Sequence, residues 1–280
     1  MGGEVSGPRR LAFLGPAGTY SEAAALGYAP QATLVPAPSI TAVTAAVPAG
    51  EADEAIVPIE NSLQGSVTET LDLLVHALDL RIRAEYVLPV RHCLIARPGT
   101  VVAAIETVYS HPQALGQCRT FLQRELPQAR TVGSLSTAQS VELAMAEANS
   151  AGIAPRRAAE INEAEVLVEG IQDDDRNSTR FVVLAEEDAP PTGDDKTSIA
   201  FNVDDRPGAL LAIMRRFAEA GINLTKIESR PARETLGVYV FLLDCTGHRR
   251  DATLAAVLDA VATETAWLKV LGSYPRFHGE

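Results

Sequence analysis

Between Arg10 and Ala185, short apolar runs alternate with stretches whose apolar residues recur every three or four positions. The runs predict strands at Arg10–Leu14, Ala32–Pro36, Ala55–Ile59, Glu106–Ser110, Arg130–Ser134, Ala151–Ala154, Val166–Glu169 and Thr179–Ala185, with one or two longer strands over Arg81–Arg97. The periodic stretches predict helices at Ser21–Leu26, Ile40–Val47, Val67–Leu78, Pro112–Leu126, Thr137–Ala148 and Arg156–Ala164. In Val67–Leu78, for example, the apolar residues fall at 67, 71, 74, 75 and 78. Ser21 and Ser39 stand where a hydroxyl would cap a helix start. Strands alternating with helices of this length predict an α/β fold of parallel βαβ units. Ligands in such sheets lie beyond the carboxyl ends of the strands, so the loops after the strands are the places to look for chemistry.

A different pattern follows residues 186–196, EEDAPPTGDDK, whose prolines, glycine and acids fit a solvated linker. Strands are predicted at Thr197–Val203, Ile222–Ser229, Leu236–Asp244 and Trp267–Tyr274, and helices at Pro207–Ala220 and Ala252–Ala262. This order, βαββαβ, is the ferredoxin-like unit. It is small, so its sheet is expected to gain cover from a second copy.

Charge narrows the partners. The 280 residues hold 24 Lys and Arg against 36 Asp and Glu, a net charge of −12. That balance excludes nucleic acid and an anionic membrane surface as partners, because both demand a basic face. Half of the excess lies between Asp173 and Asp195, where eight acids meet two arginines. A solvated inter-domain surface accounts for it better than a metal site. No apolar run reaches the roughly 18–20 residues of a membrane span, and no apolar segment of the signal-peptide kind follows the charged start. Cys93, Cys118 and Cys245 cannot all pair and form no CxxC, so free thiols in a reducing cytoplasm are expected.

Five strand-to-helix or strand-start junctions concentrate small polar residues. Gly15-Pro16-Ala17-Gly18-Thr19-Tyr20-Ser21 joins a strand to a helix N-terminus, where free amides can hold a carboxylate; it lacks the lysine and spacing of a P-loop. Glu60, Asn61, Ser62 and Gln64 follow the Ala55–Ile59 strand, and a helix cap would need one such residue, not four. In Ser110-His111-Pro112-Gln113-Ala114-Leu115-Gly116-Gln117, the two glutamines share a helix face at i and i+4. His111 is either a general base or ligand, or only the cap of that helix. Ser134-Leu135-Ser136-Thr137 and Asn177-Ser178-Thr179-Arg180-Phe181 complete the set. Metal is not expected, since no second histidine or acid stands at ligand spacing, and His92 and Cys93, adjacent in a strand, face opposite ways. Few of these residues titrate. The set describes a cleft for a polar anion, with no Ser-His-Asp triad, paired-carboxylate site, GxSxG, HExxH or GxGxxG.

Taken together, GPAGTYS (15–21), PIENSLQGS (58–66), SHPQALGQC (110–118), STA (136–138) and NSTRF (177–181) resemble prephenate dehydratase. RPGALL (206–211) and ESRP (228–231) resemble the ACT regulatory domain joined to it. Tyr20 stands where that family often has Phe, and Gln139-Ser140 where acidic and small residues are common. The match begins at residue 11, which leaves no room before it for a chorismate mutase domain, so the resemblance is to the monofunctional form.

The resemblance implies a two-lobed, periplasmic-binding-protein-like catalytic domain over 8–187, a linker over 188–196 and an ACT domain over 197–275. It implies a cytoplasmic lyase of phenylalanine biosynthesis that converts prephenate to phenylpyruvate, water and carbon dioxide without a cofactor or metal. Thr179 corresponds to the family's catalytic threonine and would assist the departing hydroxyl, with Arg180 and Phe181 beside it. In a regular strand Phe181 shares the Thr179 face and Arg180 supports from behind; an irregular backbone would let both reach the cleft. Thr19, Ser21, Glu60, Asn61, Ser62, Ser110, His111, Gln113, Gln117, Ser136 and Thr137 would hold the substrate. Phenylalanine would bind as allosteric effector at Gly208, Ala209, Leu210, Leu211, Glu228, Ser229, Arg230 and Pro231, in a homo-oligomer, dimer or tetramer. Two alternatives stay open: arogenate dehydratase, which an acid in the cleft would favour, and a non-catalytic two-lobe amino-acid sensor. If the Asp173–Asp175 run faced the cleft, a dianionic substrate would be repelled.

Overall fold

The computed structural model describes residues 8–232 and 239–279. In chain order the elements are β1 (Arg10–Leu14), α1 (Tyr20–Tyr28), β2 (Thr33–Ala37), α2 (Ile40–Ala45), β3 (Glu54–Asn61), β4 (Gly65–Ser66), α3 (Thr68–His76), β5 (Arg81–Pro89), β6 (Cys93–Ala96), β7 (Thr107–Ser110), α4 (Pro112–Gln117), α5 (Arg119–Glu125) and β8 (Arg130–Gly133). There follow α6 (Thr137–Ala146), β9 (Ser150–Ala154), α7 (Arg156–Ile161), β10 (Glu165–Glu169), β11 (Ser178–Ala185), β12 (Asp195–Asn202), α8 (Ala209–Glu219), β13 (Leu224–Pro231), β14 (Tyr239–Thr246), α9 (Ala252–Glu264) and β15 (Trp267–Pro275). The predicted strand over Leu236–Asp244 is seen from Tyr239; its residues 236–238 lie outside the described ones.

The chain divides into two compact units that do not follow chain order. One holds the residues up to Val67 together with Val87–Phe181; the other holds Thr68–Tyr86 together with the residues from Val182 onward.

In the first sheet the strand order is β2-β1-β3-β11-β5, with β4 folded back on β3. β1 runs parallel to both β2 and β3. In the second sheet the order is β10-β6-β9-β7-β8. Here the parallel βαβ units are joined by one antiparallel strand. β7 is parallel to β8 and β9, but β6 is antiparallel to β9 and β10. β9–α7–β10 is a crossover that leaves a gap one strand wide, and β6 fills it. β6 follows β5 through residues 90–92 with no helix between, so nothing constrains it to the parallel direction.

Close packing brings α6 down on this sheet. At Gly152 of β9, an added Cβ would lie 2.7 Å from the Ser140 carbonyl oxygen of α6. Only a residue without a side chain allows the approach. The predicted single helix over Pro112–Leu126 is broken at Cys118, which has φ −116° and ψ 18°. The Asp173 carboxylate accepts the Thr120 N–H at 3.1 Å, and the Asp173 N–H donates to the Gln117 carbonyl at 2.7 Å. A loop distant in sequence thus caps both sides of the break, satisfying groups that a continuous helix would have paired.

The second unit contains a four-stranded antiparallel sheet of order β13-β14-β12-β15, the ferredoxin-like arrangement. Ile213 and Phe217 of α8, four residues apart, and Leu254, Val257, Leu258 and Val261 of α9 pack on Ile199, Phe201, Leu243 and Cys245 of the sheet. Full burial of each such large apolar side chain is worth about 1.5–3 kcal/mol of transfer free energy. The α3–β5 segment bonds to this sheet as well. The Lys196 ammonium lies 2.9 Å from both oxygens of Glu85, whose side chain is nearly inaccessible. Lys269 Nζ donates to the Leu78 carbonyl at 2.6 Å. Among the described residues no helix is long and apolar enough to cross a membrane.

Candidate active site

Within the first unit, the loops that follow β1, β3, β7 and β8 and the start of β11 meet around a cavity of about 460 Å³. That is a volume suited to a small organic ligand. α1 and α6 begin at its wall, with Thr19, Tyr20, Ser21, Ser136 and Thr137 among the lining residues. The Thr19 hydroxyl oxygen accepts the Glu22 N–H and the Ser136 oxygen accepts the Gln139 N–H, so each helix is capped by a hydroxyl. The first loop is held open by Gly18, at φ +83°, whose N–H donates to Glu22 Oε2 at 2.6 Å. Glu22 is buried there, 3.6 Å from the Arg157 guanidinium.

Asn61 organises the next wall. Its Oδ1 accepts the N–H groups of Leu63 and Gln64, both at 3.1 Å, an Asx turn that folds the chain back into β4. With the oxygen so used, Nδ2 donates toward Asn177 Oδ1 at 2.8 Å and Thr179 Oγ1 at 3.0 Å. Ser62 turns away to the β11 start: its oxygen accepts the Ser178 N–H at 3.0 Å and its hydroxyl donates to the Arg176 carbonyl at 3.2 Å. Thr179 and Phe181 line the cavity, while Arg180 lies on the other face, 3.8 Å from Glu60. Neither Arg180 nor Glu60 is in the cavity wall.

On the third wall His111 caps α4, its Nδ1 accepting the Gln113 N–H at 3.4 Å, and His111, Gln113 and Gln117 all line the cavity. Ser110 is fully buried and does not line it; its hydroxyl donates to the Ile153 carbonyl at 2.6 Å, tying β7 to β9.

Four polar lining residues are not among the site residues that the sequence predicts: Tyr20, Gln64, His92 and Asn177. His92 Nε2 is 2.8 Å from Gln117 Oε1 and its Nδ1 is 2.7 Å from the Tyr20 hydroxyl, which also lies 2.8 Å from the Arg91 carbonyl. Asn177 Nδ2 donates to the same Gln117 oxygen at 3.1 Å. Burial lowers the His92 pKa, partly offset by its bond to Gln117, and burial raises that of Tyr20 well above the phenol range. Asn177 had a usable signal, since it stands two residues before Thr179 on a strand of period two. His92, flanked by Arg91 and Cys93 at a strand interruption, had none.

Among the described residues no Asp, Glu, Lys or Arg is in the cavity wall. The Asp173–Asp175 run is spent elsewhere: Asp173 on Thr120, Asp174 on Arg176, and Asp175 on Arg91 and Gln172. The Arg176 guanidinium lowers the Asp174 carboxyl to about 2. Among the described residues no group of three His, Cys, Asp or Glu side chains could hold a metal ion.

In the second unit Gly208, at φ +83°, precedes α8 and starts it without a side-chain cap, followed by Ala209, Leu210 and the exposed Leu211. On β13 Ser229 and Pro231 are exposed, and Glu228 and Arg230 lie on the opposite, half-buried face. Glu228 is 3.3 Å from Lys226, and Arg230 is 3.5 Å from Asp72 of α3.

Residues 11–189 match the prephenate dehydratase family and residues 197–263 the ACT domain family. A prephenate dehydratase of Mycobacteroides abscessus is 40% identical over 278 residues, covering 96% of this chain and 90% of that protein. The crystal structure of an Arthrobacter aurescens prephenate dehydratase in complex with L-Phe is 38% identical, with a TM-score of 0.87 over 95% of this chain and 90% of that one. GqqA, of the quorum quenching acylases, is 32% identical with a TM-score of 0.88 over 96% and 99% of the two chains.

Proposed function

The chain belongs to the prephenate dehydratase family and carries an ACT domain, and from that premise we propose that its cavity turns prephenate into phenylpyruvate. In this reaction the bond from the ring to its carboxylate breaks and releases carbon dioxide. The freed electron pair completes the aromatic ring, and the hydroxyl on the opposite ring carbon leaves with its bonding pair, taking a proton to become water. No carbon-bound proton is removed, so no strong base is required. What the protein must do is orient the ring, hold two carboxylates and assist the departing oxygen.

The observation that carries this reading is the direction of the bond between Asn61 and Thr179. Asn61 donates to Thr179 Oγ1, so that bond does not use the threonine's own hydrogen, which would serve the leaving hydroxyl. A positioned donor of this kind is worth about 10²–10³-fold in rate. Ser21, Gln113, Gln117, Ser136, Thr137 and the first-turn amides of α1 and α6 supply neutral donors for the carboxylates. Thr19 and Ser62 shape the loops, Ser110 anchors β7, and Arg180 with Glu60 backs the strand that presents Thr179. An uncharged wall supports prephenate over arogenate, whose amino group would call for an acid.

Catalysis would reside in residues 8–187 and regulation in 197–275, joined by the linker 188–196. Phenylalanine would bind between the α8 start, Gly208–Leu211, and the Glu228–Pro231 stretch. A homo-oligomer is supported by β13, which is a sheet edge among the described residues, by the exposed Ile227 on it and by the exposed Tyr239 paired with its Pro231.

The test is direct. Purified protein is given prephenate or arogenate, and formation of phenylpyruvate or phenylalanine is followed with and without added phenylalanine. Turnover of prephenate that phenylalanine reduces is expected. No turnover of either substrate would refute the enzymatic reading and leave a sensor.

A further inference from the structure

Six side chains form one unbroken hydrogen-bonded series from Tyr20 to Thr179, and its direction can be read from one end. The Leu63 and Gln64 amides can only donate, so the Asn61 atom facing them is the oxygen. Its nitrogen therefore faces Asn177, whose oxygen must be the atom it meets. The Asn177 nitrogen then faces Gln117, and the Gln117 oxygen must serve both that nitrogen and His92 Nε2. An oxygen that only accepts requires Nε2 to carry a hydrogen. At the far end the Tyr20 hydroxyl, kept protonated by burial, has one hydrogen to place between Nδ1 at 2.7 Å and the Arg91 carbonyl at 2.8 Å, and the Nε2–H tautomer leaves Nδ1 as an acceptor for it.

We propose that His92 is a positioning residue for the reaction: held as the Nε2–H tautomer, it clamps the Gln117 oxygen and thereby locks the amide series in the one direction that leaves the Thr179 hydrogen unclaimed. This rests on the assignment of Thr179 as donor to the leaving hydroxyl. Amide groups do not titrate, so the series fixes direction and carries no proton. If the Gln117 amide turned over, its nitrogen would face the Asn177 nitrogen and drive that amide over in turn. Asn61 would then meet a donor at Asn177, and its hold on Thr179 would be disturbed. Among the described wall residues the other titratable groups are Tyr20, hydrogen-bonded to the ring itself, and His111, which is committed as cap of α4. Burial keeps the His92 ring neutral.

The test has two readouts. Nitrogen-15 NMR of the imidazoles in the unliganded full chain, with His92 assigned by its loss in His92→Gln, is expected to give the Nε2–H tautomer. An Nδ1–H tautomer or an imidazolium at neutral pH would overturn the proposal, whatever the substrate proves to be. In kinetics, His92→Leu is expected to lower kcat by about 10- to 100-fold, with KM moved less than about threefold, because the donor acts on the leaving group in the transition state. His92→Gln, which keeps an N–H near the Nε2 position, should recover most of that loss. Equal losses in the two variants, or an unchanged kcat in a folded His92→Leu protein, would refute the role. A wild-type chain inert toward prephenate would instead defeat the proposed function, while the tautomer assignment would still stand or fall on its spectrum.

Discussion

Arg230 Nη2 lies 3.5 Å from Asp72 Oδ1, joining the ESRP stretch of β13 to helix α3. Both side chains are largely buried, which makes their attraction stronger than that of an exposed pair. α3 begins at Thr68, directly after Gln64 and Val67 of the cavity wall. If β13 takes the effector as proposed, a change there would have a charged handle on α3, which follows the Asn61 loop in the chain. Asp72→Asn is expected to shift the phenylalanine concentration for half-inhibition by about threefold to tenfold, a coupling on the order of 1 kcal/mol. Its kcat without phenylalanine should stay within about twofold. An inhibition curve that overlays the wild type would show that this pair carries no coupling.

Removing the Thr179 hydroxyl tests the chemistry. Thr179→Ala should cost about 10²–10³-fold in kcat, and Thr179→Ser much less, since serine keeps the donor. Asn61→Ala leaves the Asn177 oxygen and the Leu63 and Gln64 amides without their partner as well as Thr179. Its loss of kcat should match or exceed that of Thr179→Ala and be accompanied by a lower Tm. Steady-state kinetics beside thermal melts separate the two effects.

How far the sequence foretold this site follows from the range of each signal. Asn61, Gln113, Gln117, Ser136 and Thr179 stand at junctions where an apolar strand gives way to polar residues, and strand-end loops are where α/β sheets bind ligands. Such junctions are local and legible. The pairing of Thr179 with Phe181 on one face also follows from the two-residue strand period. His92 is different, because its partners Tyr20 and Gln117 are 72 and 25 residues away and nothing beside it signals either. The break at Cys118 is equally silent, being capped by Asp173, and so is the antiparallel direction of β6, which no turn or helix announces. The charge excess near Thr179 was visible as composition, but only the structure shows Asp173–Asp175 bonded away from the cavity.

The thiols give a pH prediction. Burial first, with a nearby acid second, pushes Cys118 and Cys245 from 9.0 up to about 12, and burial raises Cys93 as well. A raised folded pKa means that the contribution of these groups to stability is complete below the unfolded value near 9 and is lost as pH rises toward 12. Denaturant midpoints should therefore fall over that window. At pH 8 all three cysteines should resist a thiol reagent in the native protein and react at once in denaturant, with the label counted by absorbance or mass. Rapid native labelling of Cys118 or Cys245 would contradict their burial.

Gly152 links packing to the site. The Cβ of Gly152→Ala would sit 2.7 Å from the Ser140 oxygen and 2.9 Å from the Val141 nitrogen, both backbone atoms of α6 that no rotamer change can move. The helix must retreat from β9, and overpacking of this kind costs about 1–3 kcal/mol. The retreat reaches function, because α6 begins with Ser136 and Thr137 in the cavity wall, and the Ser140 hydroxyl shares the Ile153 carbonyl with Ser110. Gly152→Ala is therefore expected to lower the denaturant midpoint and also to raise KM for prephenate, since the carboxylate donors move while Thr179, on β11, does not. Kinetics well below the variant's Tm would distinguish this from a falling folded fraction, which lowers kcat and leaves KM alone. A destabilised variant with wild-type KM would show that the α6 start does not hold the substrate.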